Sequence, residues 1–507
     1  VSDRPTALNA RRRARDLAAA ADGVADVVVV GGGVTGAGVA LDAAARGLSV
    51  VLLEAHDLAF GTSRWSSKLV HGGLRYLAKG DVGLARESAV ERGVLMTRTA
   101  PHLTRALPQL VPLTPGVSSR DAALTMAGLV AGDGLRRSAR TPSSLLPRPR
   151  RVSAQEALAL APGLRRDLRG GLLSFDGQLV DDARLVVALA RTAAGLGARV
   201  ITRARVLEAR RDGVSAEDAL TGERFDVRAR VVVNAAGVWA GSLVPEVVLR
   251  PSRGTHLVLD GTRLGITGTA LAVPISFGRY GLVLPQPGGR VYVGLTDEPV
   301  DGPVPDVPEV PESDVDFLLG VASSALAAPV RRADVLGAFA GLRPLLDAPG
   351  RSADLSRHHA VVVSSEGVVT VVGGKLTTYR RMAADAVDVA VVRGGLACGP
   401  SVSADLPLVG AASREELARV DAPAGLVGRY GVEAGVVAAM GEVDAELGEV
   451  LWGDVTAGEV VWGVRNEGVL TVEDVVERRS RVGLVRAEGD AVRGVVEGLV
   501  ERALAGL

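Results

Sequence analysis

The pattern of apolar and polar positions is most informative near the start of the chain. Val27-Val28-Val29-Val30 is an unbroken β-branched run. It is followed by Gly31-Gly32-Gly33-Val34-Thr35-Gly36, by an alanine-rich stretch closed at Gly47, and by a second apolar run from Ser49 to Leu53 that ends in Glu54. A run with no polar alternation predicts a strand covered on both faces, so the order strand, glycine turn, helix, strand predicts a βαβ unit of a parallel sheet.

Further along, residues 183–194 predict a helix and residues 198–202 and 206–209 predict strands, which returns the chain to that sheet. The run Val231-Val232-Val233-Asn234 predicts another strand, ending in the small-residue turn Ala235-Ala236-Gly237 where open α/β sheets place ligands. Between residues 249 and 297 the texture changes to short strands and turns, which predicts an antiparallel sheet. A proline-rich loop spans 301–311, a helix is predicted over 314–327, and strands over 337–344, 360–363 and 368–372 lead to Gly373-Gly374 before another helix. Helices are also expected over 82–101 and 121–135. The chain turns helical beyond about residue 403, with Ser153/Glu156, Ser413/Glu416 and Thr471/Asp474 spaced as capping boxes.

Composition narrows the class. At 507 residues and 47% hydrophobic, the chain needs two or three cores. Lysine plus arginine equals aspartate plus glutamate at 58 each, so no global field favours nucleic acid. Cys398 is the single cysteine and the six histidines form no zinc pattern, so a metal-free enzyme of a reducing cytoplasm is expected. His358-His359 reads as a solvated turn and Cys398 as a buried or linker thiol. Residues 1–22 form a short helical lead-in without the apolar core of a signal peptide, and no run reaches the roughly 20 residues of a membrane span. One local charge bias stands out: Arg136, Arg137, Arg140, Arg148, Arg150 and Arg151 lie in a segment without an acid, a surface loop or a docking patch for anionic lipid.

The glycine fingerprint carries the first chemistry. Gly31 permits the tight turn, Gly33 lets the backbone approach a pyrophosphate, Gly36 lets the helix pack on the strand, and Glu54 is placed to accept from ribose hydroxyls. The connection after Glu54 is long, polar and glycine-rich. Thr62, Ser63, Ser66, Ser67, Lys68, Leu69 and His71 lie within it, ahead of Arg75 and Tyr76, and suit contacts to an extended cofactor that includes a flavin ring.

These stretches carry a family resemblance. The runs 30–47 and 373–383, with 66–76 and 341–345 between them, resemble in order the signature segments of FAD-dependent glycerol-3-phosphate dehydrogenase. The resemblance implies an α/β fold: a Rossmann-like FAD-binding domain with an inserted antiparallel-sheet substrate domain of the amino-acid-oxidase type, and a C-terminal helical domain. The boundaries expected are a lead-in at 1–24, the FAD-binding domain at 25–248 with a helical and basic segment at 101–170, the substrate domain at 249–335, a return to the FAD-binding domain at 336–396, and the helical domain at 403–507.

The resemblance further implies oxidation of sn-glycerol 3-phosphate to dihydroxyacetone phosphate with non-covalent FAD, a quinone-type electron acceptor, and peripheral attachment to the inner face of the cytoplasmic membrane. By that similarity Gly31, Gly33, Gly36 and Glu54 bind the ADP half of FAD, Thr62 to His71 run beside the flavin, and Gly373, Gly374, Lys375, Leu376 and Thr377 close its other side, with Gly237 at the strand end. Arg75, Tyr76, His256, Arg343 and Lys375 would face substrate. Removal of the C2 hydroxyl proton wants a group titrating near neutrality, for which His256 is the candidate. Arg343 would hold the developing alkoxide, Lys375 the charge of reduced flavin, and Arg75 the phosphate. An oxidase of the same ester using oxygen, an amine-oxidising relative, and a flavin-binding protein without turnover remain alternatives. One departure from the family pattern is Gln286 after Pro285, where an aromatic is expected, in a chain with only 3% aromatic residues.

Overall fold

The structure is a computed structural model that describes residues 4–73, 76–77, 80–276, 278–347 and 358–507. Two sheets dominate it. The first has eight strands, with the order His359–Val363, Val369–Gly373, Arg224–Asn234, Val24–Val30, Val50–Leu53, Arg199–Ile201 along its main path. The pairs at its centre are parallel, Val27 sitting beside Val231 on one side and Val50 on the other. A hairpin of Ala204–Arg210 and Gly213–Asp218 extends from Arg224–Asn234.

The valine run is unbroken because both faces of this strand are covered. Val27 and Val29 pack with the helices Val34–Ala45, Asp182–Gly195 and Tyr379–Gly394, whereas Val28 and Val30 pack on the opposite side with Ala20, Ala204 and Val214. Full burial of one such side chain contributes about 1.5–3 kcal/mol, so this strand anchors the sheet.

The second sheet has ten strands, with Ser252–Asp260 paired antiparallel to Arg290–Gly294 on one side and to Val335–Arg343 on the other. It also takes in Thr104–Pro112, Arg150–Val152, Gly171–Leu179 and Leu69–Val70. The stretch 101–170, expected to be a helical and basic part of the nucleotide-binding region, therefore supplies two strands, Thr104–Pro112 and Arg150–Val152, to the other sheet, and Gly171–Leu179 follows directly. Pro108 and Pro112 break the β signature of the first, and Gly171–Leu179 is buried at both ends without alternation.

Two other readings are corrected. Arg136 is buried, its Nε donating to Asp133 Oδ1 at 2.6 Å, and Arg137 donates to the same carboxylate, so the acid lacking within the segment is supplied one turn upstream. Arg150 in turn pairs with Glu156. His359 is no solvated turn: it opens the edge strand His359–Val363, with Nε2 2.8 Å from Asp385 Oδ2.

Beyond residue 403 the chain is mainly helical, with a small two-stranded ribbon of Val450–Trp452 and Val455–Thr456. Its helices Ala457–Asn466 and Arg486–Ala505 enclose their own core around Val460, Val464, Val496 and Leu499. The Ser413/Glu416 and Thr471/Asp474 capping boxes both form, satisfying backbone donors that open each helix.

Candidate active site

Between the two sheets lies a cavity of about 980 Å³. One end is the C-terminal edge of the parallel sheet. Gly31 there has φ +105, and a Cβ on it would come within 2.7 Å of the Ala235 carbonyl oxygen. The Val34–Ala45 helix starts directly after, with Gly33 at its N-cap and the Val34 N–H donating to Ser63 Oγ at 2.9 Å. The Glu54 carboxylate accepts from the Gly32 N–H at 2.6 Å and the His56 N–H at 2.8 Å, and burial raises its pKa despite them. Gly31, Gly33 and Glu54 line the cavity. Gly36 does not: a Cβ there would overlap the Gly31 carbonyl, so it serves helix packing.

At the other end, Ser252–Asp260 and Val335–Arg343 bring His256 and Arg343 onto one wall. The Arg343 guanidinium lies flat over Gly254, in space a Cβ would fill, and donates to Ser252 Oγ at 3.2 Å, Asp297 Oδ1 at 3.1 Å and the Thr296 carbonyl at 3.1 Å. His256 is 2% exposed and stacks on Phe339 at 4.8 Å between centroids, with Nε2 2.8 Å from Ser67 Oγ and Nδ1 lacking a partner. Burial, then the charges of Arg343 and Lys68, push its pKa down to about 3, well below the near-neutral titration expected of it, so the imidazole is neutral. Gly294 opposite has no Cβ to collide with this ring. Lys375 lies 4.1 Å from the centre of the Tyr76 ring and donates to Ser88 Oγ. Gly373 and Gly374, at φ +78 and +68, turn the chain into the Leu376–Thr378 turn and the helix behind it.

The cavity thus brings together Gly237, Thr62, Ser63, Ser66, Ser67, Leu69, His71, Tyr76, His256, Arg343, Gly373, Gly374, Lys375, Leu376 and Thr377, which span over three hundred residues of sequence. Its size and glycine-lined end fit a dinucleotide: a β-carbon at Gly31 could not be accommodated, and the buried carboxylate at Glu54 faces the same space.

Comparison with known proteins agrees with this geometry. Residues 26–380 match the family model described as FAD dependent oxidoreductase, and residues 401–504 match the C-terminal domain of alpha-glycerophosphate oxidase. The chain is 51% identical to glycerol-3-phosphate dehydrogenase 1 of Mycobacterium tuberculosis over 98% of this chain and 99% of that protein. The chain belongs to the FAD-dependent glycerol-3-phosphate dehydrogenase family. Its structure superposes on that of the glycerol-3-phosphate dehydrogenase from Bacillus halodurans complexed with FAD with a TM-score of 0.73 at 26% identity, covering 98% of this chain and 97% of that one. The L-alpha-glycerophosphate oxidase of Mycoplasma pneumoniae shares the fold, at a TM-score of 0.55 and 18% identity over 76% of this chain and 99% of the other.

Within this dehydrogenase fold, Lys68 departs from the role expected beside the flavin. It does not line the cavity: its ammonium is buried against Asp182 Oδ1 at 2.6 Å, and Asp182 also accepts from the Ser66 N–H and hydroxyl. Lys68 sits at φ +56, a left-handed conformation costing roughly 1–2 kcal/mol in an L-residue, which this ion pair holds in place. Arg75 lies outside the described residues.

Several lining residues went unread in the sequence. The helix Ser119–Ser138 supplies Leu124, Thr125, Gly128 and Ala131, and Trp65, Trp239, Tyr280 and Phe317 supply aromatic wall. Only the absence of charge from residue 122 to 132 hinted at the helix's place.

Proposed function

We propose that this chain oxidises sn-glycerol 3-phosphate to dihydroxyacetone phosphate, with FAD as its non-covalent cofactor and a quinone-type acceptor for the electrons. The observation that carries the reading is the single cavity that joins the glycine fingerprint to the wall bearing His256 and Arg343. Gly31, Gly33 and the start of the Val34–Ala45 helix would hold the diphosphate, and Glu54 the ribose. When bound, FAD supplies the hydride acceptor for C2 of the substrate.

The protein's own groups manage the proton and the charge. The neutral His256 imidazole is the proton acceptor, and Ser67 Oγ on the cavity wall is the hydroxyl through which Nε2 meets the substrate side. Arg343, fixed by three acceptors, presents its charge to the oxygen that becomes the carbonyl, and a donor fixed in a closed site needs no reorganisation during reaction. Lys375, held between Ser88 and Tyr76, presents its charge to the flavin side, and Tyr76 packs the substrate end. The direct test is an anaerobic spectrum. Glycerol 3-phosphate should bleach the yellow holoprotein whereas glycerol should not, and a flavin unchanged by glycerol 3-phosphate would overturn the reading.

No helix among the described residues is long and apolar enough to cross a membrane. Peripheral docking is supported by the Ser119–Ser138 helix, which is uncharged from residue 122 to 132. Its Leu124 and Val130 are about half exposed, and Ile275 and Phe317 are also exposed. Leu124, Ile275 and Phe317 belong to the cavity wall too, so an apolar rim and the route to the flavin side coincide, which suits a lipid-dissolved acceptor. Oxygen as acceptor would be revealed by rapid aerobic reoxidation of the reduced protein without added quinone.

A further inference from the structure

The connection between residues 54 and 68 lines the cavity through Glu54, Ala55, His56 and Phe60 to Ser63, then Trp65 to Ser67. Asp57 and Arg64 face away from it. Both are buried, and both are met from behind by one segment of the C-terminal unit, residues 474–481, none of which touches the cavity.

The contacts are specific. Asp57 is 1% exposed and accepts from Arg478 Nε at 2.6 Å and from both terminal nitrogens of Arg479 at 2.9 and 3.0 Å. Burial alone would raise the Asp57 carboxyl, but Arg479 and Arg478 hold it below the ordinary range. Arg64 is fully buried and donates to Glu477, while its guanidinium lies 5.0 Å from the Phe60 ring and 4.2 Å from the Trp65 ring. Arg481 approaches Trp65 from the same side at 5.3 Å, and Arg478 approaches Phe60 at 5.8 Å. Every cation of the segment therefore backs a ring or an acid of the cofactor connection, and Phe60 and Trp65 are themselves cavity wall.

The segment also ties into its surroundings, Arg479 donating to the Glu467 carbonyl at 2.7 Å and Arg478 to Asp474 at 2.7 Å, and its backbone is irregular. Val475–Arg479 is a π-helical turn, and Arg481 sits in the left-handed region at φ +65, where an L-residue is strained. These irregularities place Glu477, Arg478, Arg479 and Arg481 on neighbouring positions toward one target, which a regular helix would spread around its axis.

We propose that residues 474–481 are a positioning element for the cofactor: by holding Asp57 and Arg64 from behind, the C-terminal unit presets the walls at Phe60 and Trp65 and slows FAD release. FAD binding and order in this segment are then thermodynamically coupled, and such coupling is reciprocal.

The test uses the full-length holoprotein. FAD release is followed by flavin fluorescence after dilution into an excess of a flavin-binding scavenger. Amide exchange of residues 475–481 is measured with and without FAD. Glu477→Gln, at a partly exposed side chain, and Arg479→Met should each speed release at least about tenfold, the factor expected for one charge-assisted hydrogen bond. Val500→Ala, in the core of the same unit, should lower the melting temperature without changing release, which separates positioning from loss of stability. FAD should slow exchange at 475–481 although it touches none of those residues. Release within twofold of wild type in Glu477→Gln, or exchange in the segment indifferent to FAD, would overturn the proposal. If Arg479→Met does not fold, Glu477→Gln and the exchange measurement decide alone. A wild-type protein that purified without flavin would instead refute the identity of the cofactor.

Discussion

Lys68 and Asp182 offer the sharpest test of whether a residue near the flavin is a ligand or a support. Both are almost wholly buried, at 2% and 0% exposure, so water screens neither charge. Burial alone would raise the Asp182 carboxyl, but the charges of Lys68 and Arg481 hold it below its ordinary range. Removing one partner of such a pair strands the other, at a cost of about 3–5 kcal/mol, whereas removing both charges costs much less. Lys68→Met leaves Asp182 with the Ser66 and Ala183 donors, which places it near the lower figure. Asp182→Asn leaves the ammonium with the Asp181 carboxylate 3.7 Å away, so its cost falls in the same range. At roughly 1 °C per kcal/mol for a chain of 507 residues, each single variant should melt at least about 3 °C below wild type. The Lys68→Met/Asp182→Asn double variant should recover most of that loss, since Asn keeps an acceptor for Ser66, and the double-mutant cycle should return a coupling of about 2 kcal/mol or more. FAD affinity, measured by flavin fluorescence, should fall in the single variants through the displaced Ser66-Ser67 corner and recover with the double. A loss in Lys68→Met that Asp182→Asn does not restore would mean that the ammonium touches the cofactor.

The remaining expectations are shorter. His256→Gln should lower kcat for glycerol 3-phosphate by about 10²–10⁴ with KM nearly unchanged, and an unaltered kcat would remove the histidine from the proton step. Because His256 is neutral when folded, with a pKa near 3 against about 6.5 unfolded, the unfolded chain binds the extra proton between those values. The apoprotein should therefore lose stability as pH falls from 6.5 toward 3, and His256→Gln should flatten that part of the curve in denaturant titrations. Leu124→Asp/Val130→Asp should abolish binding to anionic vesicles, and that binding in the wild type should survive high salt; stripping by salt alone would return the weight to the exposed arginines. Acid precipitation should release the flavin into the supernatant, whereas a yellow pellet would mean a covalent link.

What the sequence disclosed was what local physics writes locally. An uninterrupted valine run means cover on both faces, and Val27 to Val30 have it. Ser413 with Glu416 closes its own hydrogen bonds within one turn, so that helix start was legible from spacing. Gly31 announces a turn no other residue can make there. In most of the failures the partner is remote, and in the case of Arg136 it lies one turn away, just outside the segment that reads as free of acid. Lys68 looked like a cofactor donor because Asp182 lies 114 positions away, and Arg136 looked like part of a basic patch because helix winding, not sequence adjacency, brings Asp133 beneath it. Gly171–Leu179 was not read as a strand because its character is set by Thr104–Pro112 and Arg150–Val152, two neighbours that pattern alone does not reveal.

The aromatic content shows how composition misleads when a site concentrates a scarce residue. Aromatics make up 3% of the chain, and Gln286 stands where the family resemblance expects one, which suggested a flavin without packing partners. Gln286 is not at the cavity. Its side chain is buried and donates to the Leu284 carbonyl at 3.2 Å, beside the Pro285 carbonyl that accepts from Gln178 and Arg105, so it belongs to the joint between strands of the second sheet. The few aromatics instead gather at the cavity: Phe60, Trp65, Tyr76, Trp239, Tyr280 and Phe317 line it. Phe339 joins Trp65, His256 and Tyr292 in one stack behind the wall. Offset and edge contacts of this kind contribute about 0.5–1.5 kcal/mol each beyond area, and they fix the plane of the imidazole proposed as the proton acceptor. A chain poor in aromatic residues can therefore still have a rigid aromatic wall, because it has spent them where orientation governs the chemistry.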